Sequence, residues 1–223
     1  MGKASQVTLL CIFPTIASAT LFSTLLKNLT IENDALCYKE YDKVIKCVEP
    51  HVELIFVLFP TLEPSILYNI GVMNKARQVM QNVSHCLQPN EFQCDIPKAV
   101  VYLLEAGQYV GDRLYGDAFH CFINADVIKA VSTCRDSTAV IGLPEERANA
   151  LYTDPTFHAR LADVMNNCVV ESMHNTSSCS IDRIVSLYDA ARVLWDAHYK
   201  VFGGIEGKLS PDWKFNAHKY CHT

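Results

Sequence analysis

The residues of this chain that most often carry chemistry are its cysteines, and their spacing predicts structural bridges. Structural zinc sites use pairs of cysteines separated by about two to four residues, and no two cysteines here lie that close. We therefore expect disulfides, about four in number, and no metal. Eight cysteines form close pairs with 9, 7, 12 and 10 residues between partners: Cys37 and Cys47, Cys86 and Cys94, Cys121 and Cys134, Cys168 and Cys179.

The pairing of these cysteines stays open at the level of sequence, because eight cysteines allow about a hundred connectivities. Cys221, near the end of the chain, makes their number odd once Cys11 is set aside. Cys221 either bonds a second chain, giving a covalent dimer, or bonds back into the domain and leaves another cysteine over. Both alternatives remain.

The histidines offer few candidate catalytic or metal-binding sites. His120 stands beside Cys121, but adjacent side chains rarely point together, and Cys121 belongs to the disulfide series. His218 and His222 would share one face of a helical tail, yet two ligands are too few for a metal site. We predict structural roles for all of these residues.

We also predict structural roles for the neighbouring charged residues. Glu145-Glu146 lies in a polar segment beside Pro144, where solvated carboxylates are the default, and Asp112-Arg113 is expected to form a surface or half-buried ion pair. The sequence also lacks the serine-hydrolase elbow, the zinc-protease helix, the phosphate loop and the dinucleotide fingerprint. We therefore predict neither catalysis nor a cofactor.

The first 19 residues are typical of a secretory signal peptide. Lys3 supplies a positive start, Val7 to Ile16 is apolar, and Ala17-Ser18-Ala19 offers the small residues that signal peptidase accepts. We expect cleavage after Ala19 and one secreted domain over residues 20–223. The alternative is an uncleaved anchor, since apolar residues continue to Lys27, but Pro14 interrupts a span that needs about 20 apolar residues.

Three glycosylation sequons agree with an extracellular location. They begin at Asn28, Asn82 and Asn175, and a sequon accepts a glycan only in the secretory pathway and at the surface. The net charge is −5, without a cluster of Lys or Arg. This balance excludes the electrostatic footprint of nucleic-acid binding and the polybasic patch that attracts anionic lipids.

Helical spacing dominates the rest of the chain and predicts an all-α fold of six or seven helices. Predicted helix starts are Asp34, Ser65, Asp95, Asn124, Asp154-Pro155 and Ser180. The apolar stripes include Cys37, Tyr41, Val44, Ile45 and Val48 in the first helix, Ile70 and Met73 in the second, and Leu161, Val164 and Met165 in a later one. The pattern loosens at Gly107, Gly111 and Gly116, and Gly203-Gly204 is expected to stop the last helix.

One apolar run, Leu54 to Phe59, is denser than a single amphipathic stripe requires. Ordinary core packing explains such a run, but helical secreted proteins also enclose apolar cavities that hold lipids or hormones. The cysteine spacing further hints at a duplicated helix-pair unit, although the two halves share little sequence.

Two short motifs carry a resemblance to a known family. Gly111-Asp112-Arg113 followed by Cys121 and Cys134, and Cys168-Val169-Val170-Glu171 followed by Cys179 and Ile184-Val185-Ser186-Leu187, resemble the insect hemolymph glycoprotein family of the twenty-seven-kilodalton class. The likeness spans roughly residues 37 to 190. It implies an extracellular, glycosylated, α-helical protein and brings no catalytic residues. Secreted cysteine-rich helical domains of nematodes show a similar spacing and are the second choice.

These observations favour a secreted binding protein. Its partner is expected to be an apolar small molecule such as a lipid, or alternatively an extracellular protein in an interaction or defence role without a ligand cavity. A hydrolase with an unrecognised site is a further alternative, which would require His120, His158 or His198 to meet a carboxylate and a hydroxyl.

Overall fold

In the computed structural model, six α-helices and two 3-10 helices make up most of the described residues. The structure describes residues 35–52, 68–89, 91–116, 118–123, 129–130, 133–134, 154–173, 179–205 and 212–220. The α-helices are α1 (Ala35–Val48), α2 (Ile70–Cys86), α3 (Asp95–Tyr115), α4 (Phe119–Phe122), α5 (Pro155–Met173) and α6 (Ile181–Ile205), and the 3-10 helices are Glu49–His51 and Ala217–Tyr220. The described ranges contain no strand, which confirms the all-α prediction.

Capping side chains explain where several helices begin. Asp154 Oδ1 accepts hydrogen bonds from the backbone N–H groups of Thr156 and Phe157, at 2.9 and 3.1 Å, and so caps α5 as predicted. The helix that was predicted to run from Ser65 through Ile70 and Met73 begins later than expected, and Ser65 itself lies outside the described residues. α2 begins at Ile70, because Asn69 adopts an extended backbone and its side chain accepts from the N–H of Val72.

Glycines do not interrupt the helices where the sequence pattern loosens. α3 continues through Gly107 and Gly111 to Tyr115, because both glycines face α2. A Cβ atom at Gly107 would lie 2.8 Å from Met80 Sδ, and one at Gly111 would lie 3.0 Å from Arg77 Cγ. The glycines therefore let the two helices approach closely. The predicted stop at Gly203-Gly204 is also wrong, since α6 extends to Ile205.

Within the described residues, four disulfides connect the helices in two nested sets. In each half of the chain, the outer cysteine of one close pair bonds the outer cysteine of the next, and the inner bonds the inner. The bridges are Cys37–Cys94 and Cys47–Cys86 in the first half, and Cys121–Cys179 and Cys134–Cys168 in the second. The prediction of about four bridges is confirmed, and the repeated topology strengthens the hint of a duplicated unit.

The two halves meet where α3 and α6 pack against each other, at what we call the α3–α6 seam. The helices run antiparallel, because Arg113 of α3 lies beside Asp189 of α6 while Tyr102 lies beside Lys200. α6 also contacts α4, α5 and the 3-10 helix Ala217–Tyr220. It is therefore buried on several faces. The largest core cluster lines this seam: Met73, Ala106, Val110, Leu114, Tyr115, Phe119, Phe122, Ala190, Val193, Leu194 and Tyr220.

A short C-terminal segment completes the core. Residues 212–220, which we call the C-terminal strap, follow α6 and end in the 3-10 helix Ala217–Tyr220. Tyr220 is buried, and Phe215 packs against the same cluster. The strap therefore adds two aromatic rings to the core between α3 and α6.

Three apolar residues that the stripes placed inside are exposed instead. Ile45 is 53% exposed, Ile70 42% and Val164 48%. In α1 the buried side is set by Cys37, Val44 and Cys47, and Ile45 points about 100° away from Val44 around the helix.

Several predictions concern residues outside the described ranges: the helix starts at Asp34 and Asn124, the run Leu54 to Phe59, the loop with Glu145-Glu146, and Cys221. Among the described helices, none is long and apolar enough to cross a membrane.

Candidate functional site: a groove along α5 and a charged, aromatic seam

An open groove of about 620 Å³ runs along the exposed face of α5. The opposite face of this helix packs on α6, where Ala162 and Met165 meet Trp195. The outer face mixes small, apolar and charged side chains at helical spacing, and all of them are exposed. The groove is lined by Pro155, Thr156, Ala159, Arg160, Asp163, Val164 and Asn167.

The chemistry of this groove suits an amphipathic partner. Val164 presents half of its surface to solvent, and Arg160 and Asp163 place opposite charges beside it. A lipid chain would leave these charges desolvated and unpaired, which is costly. A polypeptide segment offers both an apolar side chain for Val164 and polar groups for its neighbours.

The α3–α6 seam contains a buried ion pair. Arg113 Nε lies 3.6 Å from Asp189 Oδ2, and only 4% of the Asp189 side chain is exposed. The Arg113 guanidinium also lies over the Tyr109 ring, 4.2 Å from its centroid. This pair of a buried carboxylate and a half-buried guanidinium joins the halves of the molecule.

Asp112 and Arg113 do not pair with each other, contrary to the prediction for these neighbours. Adjacent residues on a helix point about 100° apart, so each meets a different helix. Asp112 forms an ion pair with Arg77 of α2, whereas Arg113 turns towards α6.

A second polar network fixes the C-terminal strap. The Tyr220 hydroxyl donates to Asp196 Oδ2 at 2.6 Å, and Lys219 Nζ donates to the same oxygen at 2.6 Å. Burial raises the pKa of Tyr220 well above its ordinary value, and the Asp196 charge raises it further. Asp196 therefore serves as the common acceptor for two strap residues.

Lys200 and Tyr102 complete this network. Lys200 Nζ donates to the backbone carbonyl of Asp212 at 2.7 Å and lies 4.8 Å from the centroid of the Tyr102 ring. Burial lowers the pKa of Lys200, while the Asp212 charge opposes that shift. Burial likewise raises the pKa of Tyr102. These contacts orient the strap across α3 and α6.

The described histidines that the alternative hydrolase or metal sites would need, His120, His198 and His218, lie on three different elements. His120 is exposed on α4, and its neighbour Cys121 is fully buried in the bridge to Cys179. His198 is buried in α6, and the side chain of His158 is outside the described residues. His218 is exposed on a 3-10 helix, not on the α-helical tail that would align it with His222. Among described residues, no group of three His, Cys, Asp or Glu could hold a metal.

One of the three sequons is described. Asn82 is exposed on α2, with Val83 buried beside it, so its amide faces solvent as a glycan acceptor must. Asn28 and Asn175 lie outside the described ranges.

Glu40 is a buried carboxylate on α1 that the sequence did not predict. Glu40 accepts hydrogen bonds from the backbone N–H groups of Gln93 and Cys94, each at 2.9 Å, immediately before α3. These N–H groups have no partner within α3, so a side chain from another helix satisfies them. Glu40 follows Cys37 by one turn of α1, and the bridge from Cys37 to Cys94 brings them close. The sequence feature that could have indicated this role of Glu40 is its position one helical turn after Cys37.

Comparison of the chain with protein-family models, with curated proteins and with solved structures finds no match. The likeness to the hemolymph glycoproteins thus stays a prediction carried by the motifs alone.

Proposed function

We propose that this protein is a secreted, extracellular binding protein whose partner docks in the groove along α5. Four disulfides in a chain of this length suit an oxidising compartment, because cytosolic thiols are kept reduced. The apolar start of the chain and the exposed sequon at Asn82 support the same location. The observation that carries the binding role is the open groove beside Val164, which mixes apolar and charged side chains.

A protein segment is the partner that this groove favours, and site-specific cross-linking tests it. A photoreactive residue at position 164 should form adducts with an extracellular protein, whereas the same residue at position 45 should not. Ile45 is the matched control, since it is an apolar residue of similar exposure on a different helix. Equal adduct yields at the two positions would contradict docking in the groove.

A carrier for an apolar small molecule is the second candidate, favoured by the dense apolar run from Leu54 to Phe59. Native mass spectrometry after gentle purification distinguishes the two. A lipid that copurifies, and that a fluorescent fatty acid displaces, supports the carrier. A clean mass for the protein alone, together with no binding of the fluorescent fatty acid, would rule it out.

A further inference from the structure

We propose that Asn82 carries an N-linked glycan that covers the neighbouring Cys47–Cys86 bridge and protects it from exchange with thiols in the medium. The inference concerns the outer face of α2, a different helix from the one that forms the groove. It rests on the proposed secretion of the chain, because only the secretory pathway attaches such a glycan. It is independent of any partner that docks along α5.

The Cys47–Cys86 bridge differs from the other described bridges in having an exposed cysteine. Cys86 is exposed near the end of α2, whereas Cys47 on α1 is buried. The remaining bridged cysteines that the structure describes are buried or half-buried: Cys37, Cys94, Cys121, Cys134, Cys168 and Cys179. Thiol exchange depends on access to the attacked sulfur. Cys86 is therefore the bridged cysteine that a thiol in the medium reaches most easily.

Exchange at this bridge follows the ordinary chemistry of disulfides. A thiolate from the medium, such as that of glutathione, attacks Cys86 Sγ and forms a mixed disulfide with it. The bond between the two protein sulfurs breaks, and its electron pair leaves with Cys47 as a thiolate. Unless something restricts the approach of the thiol, this step opens the link between α1 and α2.

A nearby cation favours the opening of this bridge. Lys43 stands one helical turn before Cys47 on α1, and its Nζ donates to the backbone carbonyl of Leu87 at 2.9 Å. Leu87 directly follows Cys86, so the ammonium group lies beside both ends of the bridge. A positive charge next to a cysteine stabilises its thiolate. The bridge thus combines an exposed sulfur with a stabilised leaving group, and it needs protection outside the cell.

Asn82 stands one helical turn before Cys86 on the outer face of α2. Residues four apart on a helix are neighbours on its surface, with about 5–6 Å between their Cβ atoms. Helical side chains also lean towards the start of their helix, so the Cys86 side chain leans towards Asn82. Asn82 itself is exposed. A bulky glycan on Asn82 therefore begins beside the attacked sulfur and restricts the approach of a thiol from solvent.

The sequon Asn82-Val83-Ser84 supplies the acceptor. The side-chain amide nitrogen of Asn82 attacks the first sugar of a lipid-linked oligosaccharide. A bond forms between this nitrogen and the sugar carbon, the lipid pyrophosphate leaves, and the amide gives up one proton. Val83 points into the core and is 3% exposed, while Asn82 faces solvent. The folded helix can therefore hold the glycan without displacing a core side chain.

Protein secreted by cultured eukaryotic cells tests the inference in two steps. Peptide mapping of the protein in the medium should find a glycan on Asn82. Reduced glutathione is then added, and the freed thiols are alkylated and mapped over time. The Cys47–Cys86 bridge should open at least about threefold faster in Ser84→Ala than in the unaltered chain, because the attacked sulfur becomes accessible. Ser84→Thr, the matched control, keeps the sequon and should retain the slow rate.

The Cys37–Cys94 bridge is the internal control, because both of its cysteines are 3% exposed, and it should open at the same rate in all three proteins. If Ser84→Ala does not fold, or opens both bridges faster through a general loss of stability, enzymatic release of the glycan from the native, unaltered protein gives the comparison. Equal rates at Cys47–Cys86 with and without the glycan would overturn the proposal. Secreted protein without a glycan on Asn82 would overturn it too and leave the proposed location standing. Absence of the protein from the medium would contradict both.

Discussion

Asp189 is a carboxylate on α6 with 4% of its side chain exposed, and Arg113 of α3 lies beside it. Removing one partner of a buried pair leaves the other charge desolvated, which costs far more than loss of an exposed pair. The exposed pair Asp42–Lys46 on α1 provides the contrast, with both side chains more than half exposed.

Asp189→Ala should lower the free energy of unfolding by about 1.5–3 kcal/mol, measured by urea denaturation. Asp42→Ala, the matched control, should lower it by less than about 1 kcal/mol. Equal losses for the two variants would show that the pair at the α3–α6 seam is not the stronger one.

Gly116, at the end of α3, has a close backbone neighbour. A Cβ atom there would lie 2.5 Å from the carbonyl oxygen of Asp112, whereas one at Gly71 would meet nothing nearer than 3.4 Å. Gly116→Ala should therefore destabilise the fold by about 1–3 kcal/mol. Gly71→Ala should be neutral or stabilise by up to about 1 kcal/mol. Thermal unfolding of both variants measures this difference in stability. A neutral Gly116→Ala would contradict the prediction.

At the scale of single residues, the sequence predicted about four bridges among nine cysteines, but neither their partners nor the cysteine that is left over. It also expected Asp112 and Arg113 to act together, although each meets a different helix. Side-chain direction on a helix follows from its rotation, but the identity of the neighbouring helix depends on tertiary packing. Glu40 and Asp196 were missed for the same reason, since their partners lie 53 and 23 residues away.

Between elements, Glu40 joins α1 to the start of α3. Its carboxylate accepts from two backbone N–H groups and is 9% exposed. Glu40→Ala should lower the free energy of unfolding by about 2 kcal/mol, because hydrogen bonds to a charged group contribute about 1.5–3 kcal/mol. Glu40→Gln keeps one acceptor oxygen and should lose less. The two variants should differ in urea denaturation, and identical losses would contradict the capping role.

Helix starts were the most predictable elements. Asp154 caps α5 through local contacts, and such contacts can be inferred from a few neighbouring residues. The continuity of helix interiors was less predictable. Gly107 and Gly111 suggest a loosened helix in the sequence, but in the fold they allow α2 to pack closely against α3. The C-terminal strap was not predicted at all. Its 3-10 helix is stabilised by distant rings on α3, and local sequence carries no signal for that contact.

For the whole molecule, we expect the buried tyrosines to make the free energy of unfolding fall at alkaline pH. Burial raises the pKa values of Tyr102, Tyr115 and Tyr220 above the ordinary value near 10. The unfolded chain releases these protons above about pH 10, whereas the folded chain retains them. The stabilisation is thus fully present below pH 10 and is lost as the pH rises further, by at most about 1.4 kcal/mol per unit for each tyrosine.

Denaturant unfolding between pH 8 and 11 should show this fall, with tyrosinate absorbance reporting the ionisation. Lys200 works in the opposite direction, since burial lowers its pKa, but one lysine does not offset three tyrosines. Tyr115→Phe should make the decline with pH shallower. A free energy of unfolding that stays level above pH 10 would contradict the burial of these phenols.

The proposed function requires that the chain is secreted and that its bridges form two nested sets. The most direct test is a non-reducing peptide map of the protein collected from the medium of secreting cells. We expect a mature start at Thr20 and the bridges Cys37–Cys94, Cys47–Cys86, Cys121–Cys179 and Cys134–Cys168. Bridges within the close pairs, such as Cys37 to Cys47, or a chain retained in the cell with reduced thiols, would contradict it.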